Sequence, residues 1–114
     1  MDLSIVITTR NRKKDLLECV DSIKKSDFKN IEYELIIVDD ASDDGTERIT
    51  NQDIGLNKVN IIHNDTQQMM VRSRNIGAKN SSGKYVLFID DDNIIDEDMI
   101  YNLVDFAENN PEFG

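Results

Sequence analysis

At 114 residues the chain has room for one domain with a real core, yet it is small for a complete α/β enzyme. Its 23 acidic residues against 13 basic ones set a net charge of −10, which excludes a nucleic-acid backbone as partner, because that mode of phosphate binding needs clustered Lys and Arg. The single Cys19 excludes an intrachain disulfide, and with no secretory signal or membrane-spanning run visible the expected compartment is reducing and cytoplasmic.

Apolar strands alternate with amphipathic helices along the chain. Leu3 to Thr9 is the first predicted strand, followed by a helix from about Arg12 to Lys25 whose Leu16, Leu17, Val20 and Ile23 recur at helical spacing, with Asn11 as its expected N-cap. Glu34 to Asp39 is the second strand. Asp44-Gly45-Thr46-Glu47 then reads as a capping-box start to a short second helix, the Asp accepting from the amide three residues on. Val59 to His63 forms a third strand and roughly Met69 to Asn80 a third helix. Ser82-Gly83 turns the chain into the fourth strand from Tyr85, and Asp96 is expected to cap a last helix carrying Met99, Ile100, Leu103, Val104 and Ala107.

Such β-α alternation predicts a mostly parallel, three-layer sheet with helices on both faces, since right-handed crossovers lay the helices against it. Ligands of doubly wound sheets sit beyond the carboxyl ends of the strands, where strand order reverses. With the predicted order 3-2-1-4, that reversal lies between the first and fourth strands, so Thr8, Thr9 and Arg10 should neighbour Asp90, Asp91 and Asp92.

Those three carboxylates are the sharpest signal in the chain. Tyr85 to Ile89 is an apolar run that stops abruptly at Asp90-Asp91-Asp92, and folding alone gives no reason to end a buried strand in three like charges. Repulsion and partial desolvation make the arrangement costly unless a cation or a donor-rich ligand meets it. On an extended segment, positions i and i+2 point to one side, so Asp90 and Asp92 should share a site that Asp91 faces away from, a pattern suited to a hard metal.

The ordered landmarks Ser4-Ile5-Val6-Ile7-Thr8-Thr9-Arg10-Asn11, Ile37-Val38-Asp39-Asp40-Ala41-Ser42-Asp43-Asp44-Gly45-Thr46, Arg74-Asn75-Ile76-Gly77-Ala78 and Gly83 to Asp92 span nearly the whole chain. Together they resemble the nucleotide-sugar-binding half of a GT-A fold glycosyltransferase of family 2. One departure is Thr8, where many members carry Pro. The resemblance implies Mn²⁺ or Mg²⁺ held through Asp92 and Asp90, with Asp90 also accepting from ribose hydroxyls and Asp91 beside them. It implies Asp39 as acceptor for the imide N–H of a uracil-type base, Thr8, Thr9 and Arg10 along base and ribose, and Arg74 with Asn75 near phosphate or ribose. Gly77 would allow close backbone approach. The reaction implied is inverting transfer of a sugar from a nucleoside-diphosphate sugar, of UDP type, to an acceptor. The acceptor half and catalytic base of the family come from sequence beyond residue 114, so the chain is expected to be an incomplete GT-A fold that binds donor without transferring it.

Plainer readings compete. Asp40, Asp43 and Asp44 suit capping and solvation, His63 reads as incidental, Met69 and Met70 as packing residues, and Asp96, Glu97 and Asp98 as charges favourable at a helix start. The segment from Asp40 fails as a calcium loop because its twelfth position is Asn51 where a bidentate Glu is needed. A metal-dependent Asp-x-Asp phosphatase would want Thr or Val at Ile94, and a receiver domain an acidic pair after its first strand. A non-catalytic nucleotide-binding or assembly module remains the main alternative. A further expectation is a homodimer formed through Tyr85 to Ile89 as an exposed sheet edge.

Overall fold

β-Branched and aliphatic runs lay down the sheet. In the computed structural model, which describes residues 1–113, the strands are β1 (Leu3–Thr9), β2 (Tyr33–Asp39), β3 (Val59–His63) and β4 (Tyr85–Asp90). All pair in parallel in the order β3-β2-β1-β4, as expected from the sequence. The helices are α1 (Lys13–Lys24), α2 (Asn51–Ile54), α3 (Met69–Lys79) and α4 (Met99–Asn109).

Strand alternation sends two sets of side chains to opposite faces. Leu3, Ile5, Ile7, Leu35 and Ile37 pack with Leu16, Cys19, Val20 and Ile23 of α1 and with Ile100 and Val104 of α4. Val6, Ile36 and Val38 form the smaller core on the other face, with Ile62 and with Ile76 of α3. The central strands β1 and β2 are thus covered on both faces, which is why Ile5 to Ile7 and Leu35 to Val38 are apolar without alternation. At the edge, β4 alternates instead: Tyr85, Leu87 and Ile89 turn to the larger core, while Val86 and Phe88 stay exposed.

Helix α3 lies close against the sheet because Gly77 has no side chain. A Cβ there would come within 2.4 Å of Val6 Cγ1, so the close approach the sequence suggested is made to β1 rather than to a ligand. At the amino end of the sheet a latch fixes where β4 begins. Glu34 on β2 accepts from the N–H of Ser82 at 2.7 Å and from the Ser82 and Ser4 hydroxyls. Ser4 Oγ in turn accepts from the N–H of Gly83 at 2.8 Å. Burial opposes ionisation of Glu34, but these donated bonds prevail and hold its carboxyl below the usual range.

Three caps differ from expectation. Asn11 does not cap α1: it sits in the left-handed region at φ 54, and its Oδ1 accepts from the N–H of Asp43, tying the β1 and β2 loops together. Asp44 opens no α-helix, because Gly45 at φ 104 turns the chain into a single 3-10 turn, Thr46–Arg48, and Asp44 accepts from the Thr46 N–H two residues on. The capping box lies further along, where Thr50 and Asp53 exchange backbone donors at the start of α2. At α4, the N–H of Met99 bonds to the backbone carbonyl of Asp96, and no side-chain cap forms.

Candidate functional site

The carboxyl ends of the strands converge on one rim. Register places Thr8 opposite Asp90, Thr9 opposite Asp39, and Asp39 opposite His63. Between them opens a crevice of about 370 Å³ lined by Thr8, Thr9, Arg10 and Arg12, by Asp40, and by Asp90, Asp91 and Asp92. Residues of the loop into α3 and its first turns, Gln67, Met69, Met70 and Ser73, close the remaining side. It lies where strand order reverses, as parallel-sheet geometry requires.

β4 ends at Asp90 and the chain turns at Asp91 and Asp92, so strand alternation does not continue and all three aspartates line the crevice, Asp91 included. Asp91 turns inward, 8% exposed, and its Oδ2 accepts from the Thr9 hydroxyl at 2.9 Å. Asp90 and Asp92 remain exposed at the crevice. Burial pushes the Asp91 carboxyl above its ordinary pKa, opposed by the Thr9 bond and the Arg12 guanidinium and reinforced by the neighbouring Asp92 charge. Arg12, which no sequence pattern marked, reaches Asp91 at 3.6 Å and Asp92 at 3.5 Å. Beneath them the Cys19 thiol lies near the Asp90 carbonyl, and burial together with the three aspartates raises its pKa to about 11, so it is an unreactive packing group.

The acids at the end of β2 are both buried, and Asp40 keeps the capping expected of it but not the solvation. Asp40 is no solvated turn residue: it is 6% exposed, and its Oδ1 accepts from the N–H of Gln68 at 2.6 Å and from Asn64 Nδ2 at 3.0 Å. Its Oδ2 accepts from the N–H of Met69 at 2.9 Å. Burial would raise its pKa, but these bonds and the Arg10 charge outweigh it and hold the carboxyl low. Asp39 is buried behind the crevice, 1% exposed, where it accepts from the N–H of Ser42 and lies 2.9 Å from Nδ1 of His63. His63 is therefore a partner of Asp39 and not incidental. Asp43 and Asp44 stay in the turn, as expected.

Arg74 reaches the rim through Asp90, with Nη2 at 3.4 Å from Oδ1, and lies over the Phe88 ring. Asn75 is exposed on α3 and takes no part in the crevice lining. Thr8, Thr9, Arg10 and Asp90 to Asp92 are thus brought together, Arg74 flanks them, and Asp39 and Asn75 are not among them. Among the described residues no three His, Cys, Asp or Glu side chains are grouped to hold a metal ion, and no helix is long and apolar enough to cross a membrane.

Known proteins share this fold. An uncharacterized glycosyltransferase of Haemophilus influenzae is 34% identical over 112 residues, 98% of this chain and 36% of that protein. The crystal structure of Staphylococcus aureus TarS 1–349 in complex with UDP-GlcNAc superposes with a TM-score of 0.86 at 28% identity, over 97% of this chain and 32% of that one. The mannosyltransferase PcManGT of Pyrobaculum calidifontis, in complex with GDP-Man and Mn²⁺, shares the fold at 21% identity and a TM-score of 0.80, over 92% of this chain and 32% of its own. The chain thus spans about a third of the length of these relatives. The sequence profile described as Glycosyl transferase family 2 matches residues 4–113, nearly the entire chain. A parallel sheet of this order, with aspartates gathered where it reverses and that profile running from β1 past α4, makes the chain a member of glycosyl transferase family 2.

Proposed function

We propose that the crevice binds a nucleoside-diphosphate sugar, of uridine type, with Mn²⁺ or Mg²⁺, and serves as the donor site of an inverting glycosyltransferase of the length its relatives have. The observation that carries this reading is the charge of the crevice. Four aspartates line it against two arginines. A diphosphate brought into that field meets net repulsion, which a divalent cation between ligand and carboxylates removes. Asp92 and Asp90, hard oxygen donors exposed at the crevice, would hold the cation. Once bound, the metal would supply charge neutralisation for the departing nucleoside diphosphate.

The chain's own residues take the following parts. Thr8, Thr9 and Arg10 flank base and ribose, and Asp90 accepts from ribose hydroxyls. Asp91, engaged with Thr9 and Arg12, is a positioning residue that holds the strand end in place. Arg74 is available to phosphate. Of the two acids at the end of β2, Asp40 lines the crevice and Asp39 does not, which favours Asp40 as acceptor for the base imide N–H. The uridine nucleotide is favoured by the TarS complex with UDP-GlcNAc.

Calorimetric titration with uridine diphosphate tests the reading. Binding should strengthen with Mn²⁺ over a chelator, and Asp92→Asn should remove most of that gain, weakening metal-dependent affinity by about tenfold, or about 1.4 kcal/mol. Equal parent affinity in both conditions overturns the metal site.

A further inference from the structure

Three large apolar side chains in succession, Met69, Met70 and Val71, stand 63%, 56% and 73% exposed at the start of α3. Two of them, Met69 and Met70, wall the crevice. The backbone at Met69 is also out of the ordinary, with φ at 72, in the left-handed region that glycine enters freely and a long side chain resists. Such a conformation persists only where surrounding bonds hold it. Here Asp40 does so, since its two carboxylate oxygens take the consecutive N–H groups of Gln68 and Met69.

The clamp therefore keeps a methionine in water at the mouth of a ligand crevice instead of in the core, where its chemistry would ordinarily place it. Strand order says which part of a ligand it would meet. Asp90 ends β4, with Asp91 and Asp92 just beyond it, on one side of β1, whereas Asp40 follows β2 and the Met69 loop follows β3 on the other. A nucleotide with its diphosphate at the aspartates of β4 extends its base towards Asp40 and Met69.

We propose that Met69 is the base-binding platform of this site: its thioether lies against the flat face of the nucleobase while Asp40 reads the base edge. Sulfur is polarizable and packs favourably on an aromatic face without demanding a hydrogen-bond direction. Edge recognition by Asp40 then supplies selectivity, and the Met69 contact supplies affinity. The same carboxylate does both jobs, because it holds the platform in position. This rests on the donor-site reading above.

The test compares uridine diphosphate with inorganic pyrophosphate, both with Mg²⁺, on the parent chain and on Met69→Gly, Met69→Asn and Met69→Leu. Gly and Asn both tolerate the left-handed backbone, so each should raise the melting midpoint, by about 4 °C for Gly. Each should also weaken uridine diphosphate by about fivefold while leaving pyrophosphate within about twofold. Leu, which keeps the apolar bulk, should retain most of the uridine diphosphate affinity. Opposite signs on stability and binding are what a merely structural residue would not give. Unchanged uridine diphosphate affinity in both Gly and Asn variants overturns the platform alone and leaves the donor site standing. Equal losses for both probes also overturn it, since the contact would then not be to the base. A parent chain that binds neither probe removes the donor site and the platform with it.

Discussion

At the scale of single residues, the loop after β2 holds another strained position. Ala41 has φ at 61, directly after the clamping Asp40, where a residue with a Cβ gives up about 1–2 kcal/mol. Ala41→Gly should therefore raise the unfolding free energy by about 0.5–1 kcal/mol, the gain being reduced by glycine's greater freedom in the unfolded chain. Urea denaturation measures it, and a loss of stability would mean that the Ala41 methyl contributes packing worth more than the strain. The same neighbourhood marks the limit of what the sequence discloses. Asp90 to Asp92 could be read directly, because charge following an apolar strand is anomalous by itself. Thr9 beside Asp91 followed from strand order. Asp40 holding Gln68 and Met69, Arg12 reaching Asp91 and Asp92, and His63 against Asp39 could not be read, since each joins residues far apart in the chain whose types are ordinary in place. A single sequence shows what a residue is, not which loop will fold over it.

Elements were more legible than their ends. β1 and β3 have the predicted bounds, and α1 begins and stops within one residue of expectation, because apolar periodicity extends over many positions and averages out exceptions. Caps rest on one or two bonds, and there a rival donor can win: Asn11 was drawn off by the N–H of Asp43, and Asp44 by that of Thr46. Helix α3 gives the element-scale prediction. With 2.4 Å between a Gly77 Cβ and Val6 Cγ1, Gly77→Ala must push α3 off the sheet or distort β1, at a cost of about 1–3 kcal/mol by chemical denaturation. Because Met70 and Arg74 ride on the same helix, nucleotide affinity should fall with it. A variant as stable as the parent would show that α3 is free to shift and that its seating on Val6 is not what fixes the crevice wall.

Across the whole molecule, the sheet ends in two edges, and β4 pairs only with β1. Val86 and Phe88 on that strand are 40% and 44% exposed, so unpaired backbone and uncovered apolar surface coincide. We expect a second copy to pair with or cover this edge. With a net charge of −10 on each chain, mutual repulsion opposes the encounter, so association should increase with ionic strength as well as concentration. Light scattering at low and high salt checks this, and a monodisperse monomer at high concentration in both would count against it. One further property of the architecture follows from the Ser4–Glu34 latch on Ser82 and Gly83. That latch secures β4 at the end of the sheet opposite the crevice, so the bonds that register the strands are not the ones that meet a ligand. Evolution can then rewrite the rim, exchanging one ligand preference for another, without renegotiating the fold. Random libraries confined to the rim loops should accordingly yield mostly folded variants with altered ligand choice, whereas the same mutational load at Ser4, Glu34, Ser82 and Gly83 should yield mostly chains that fail to assemble.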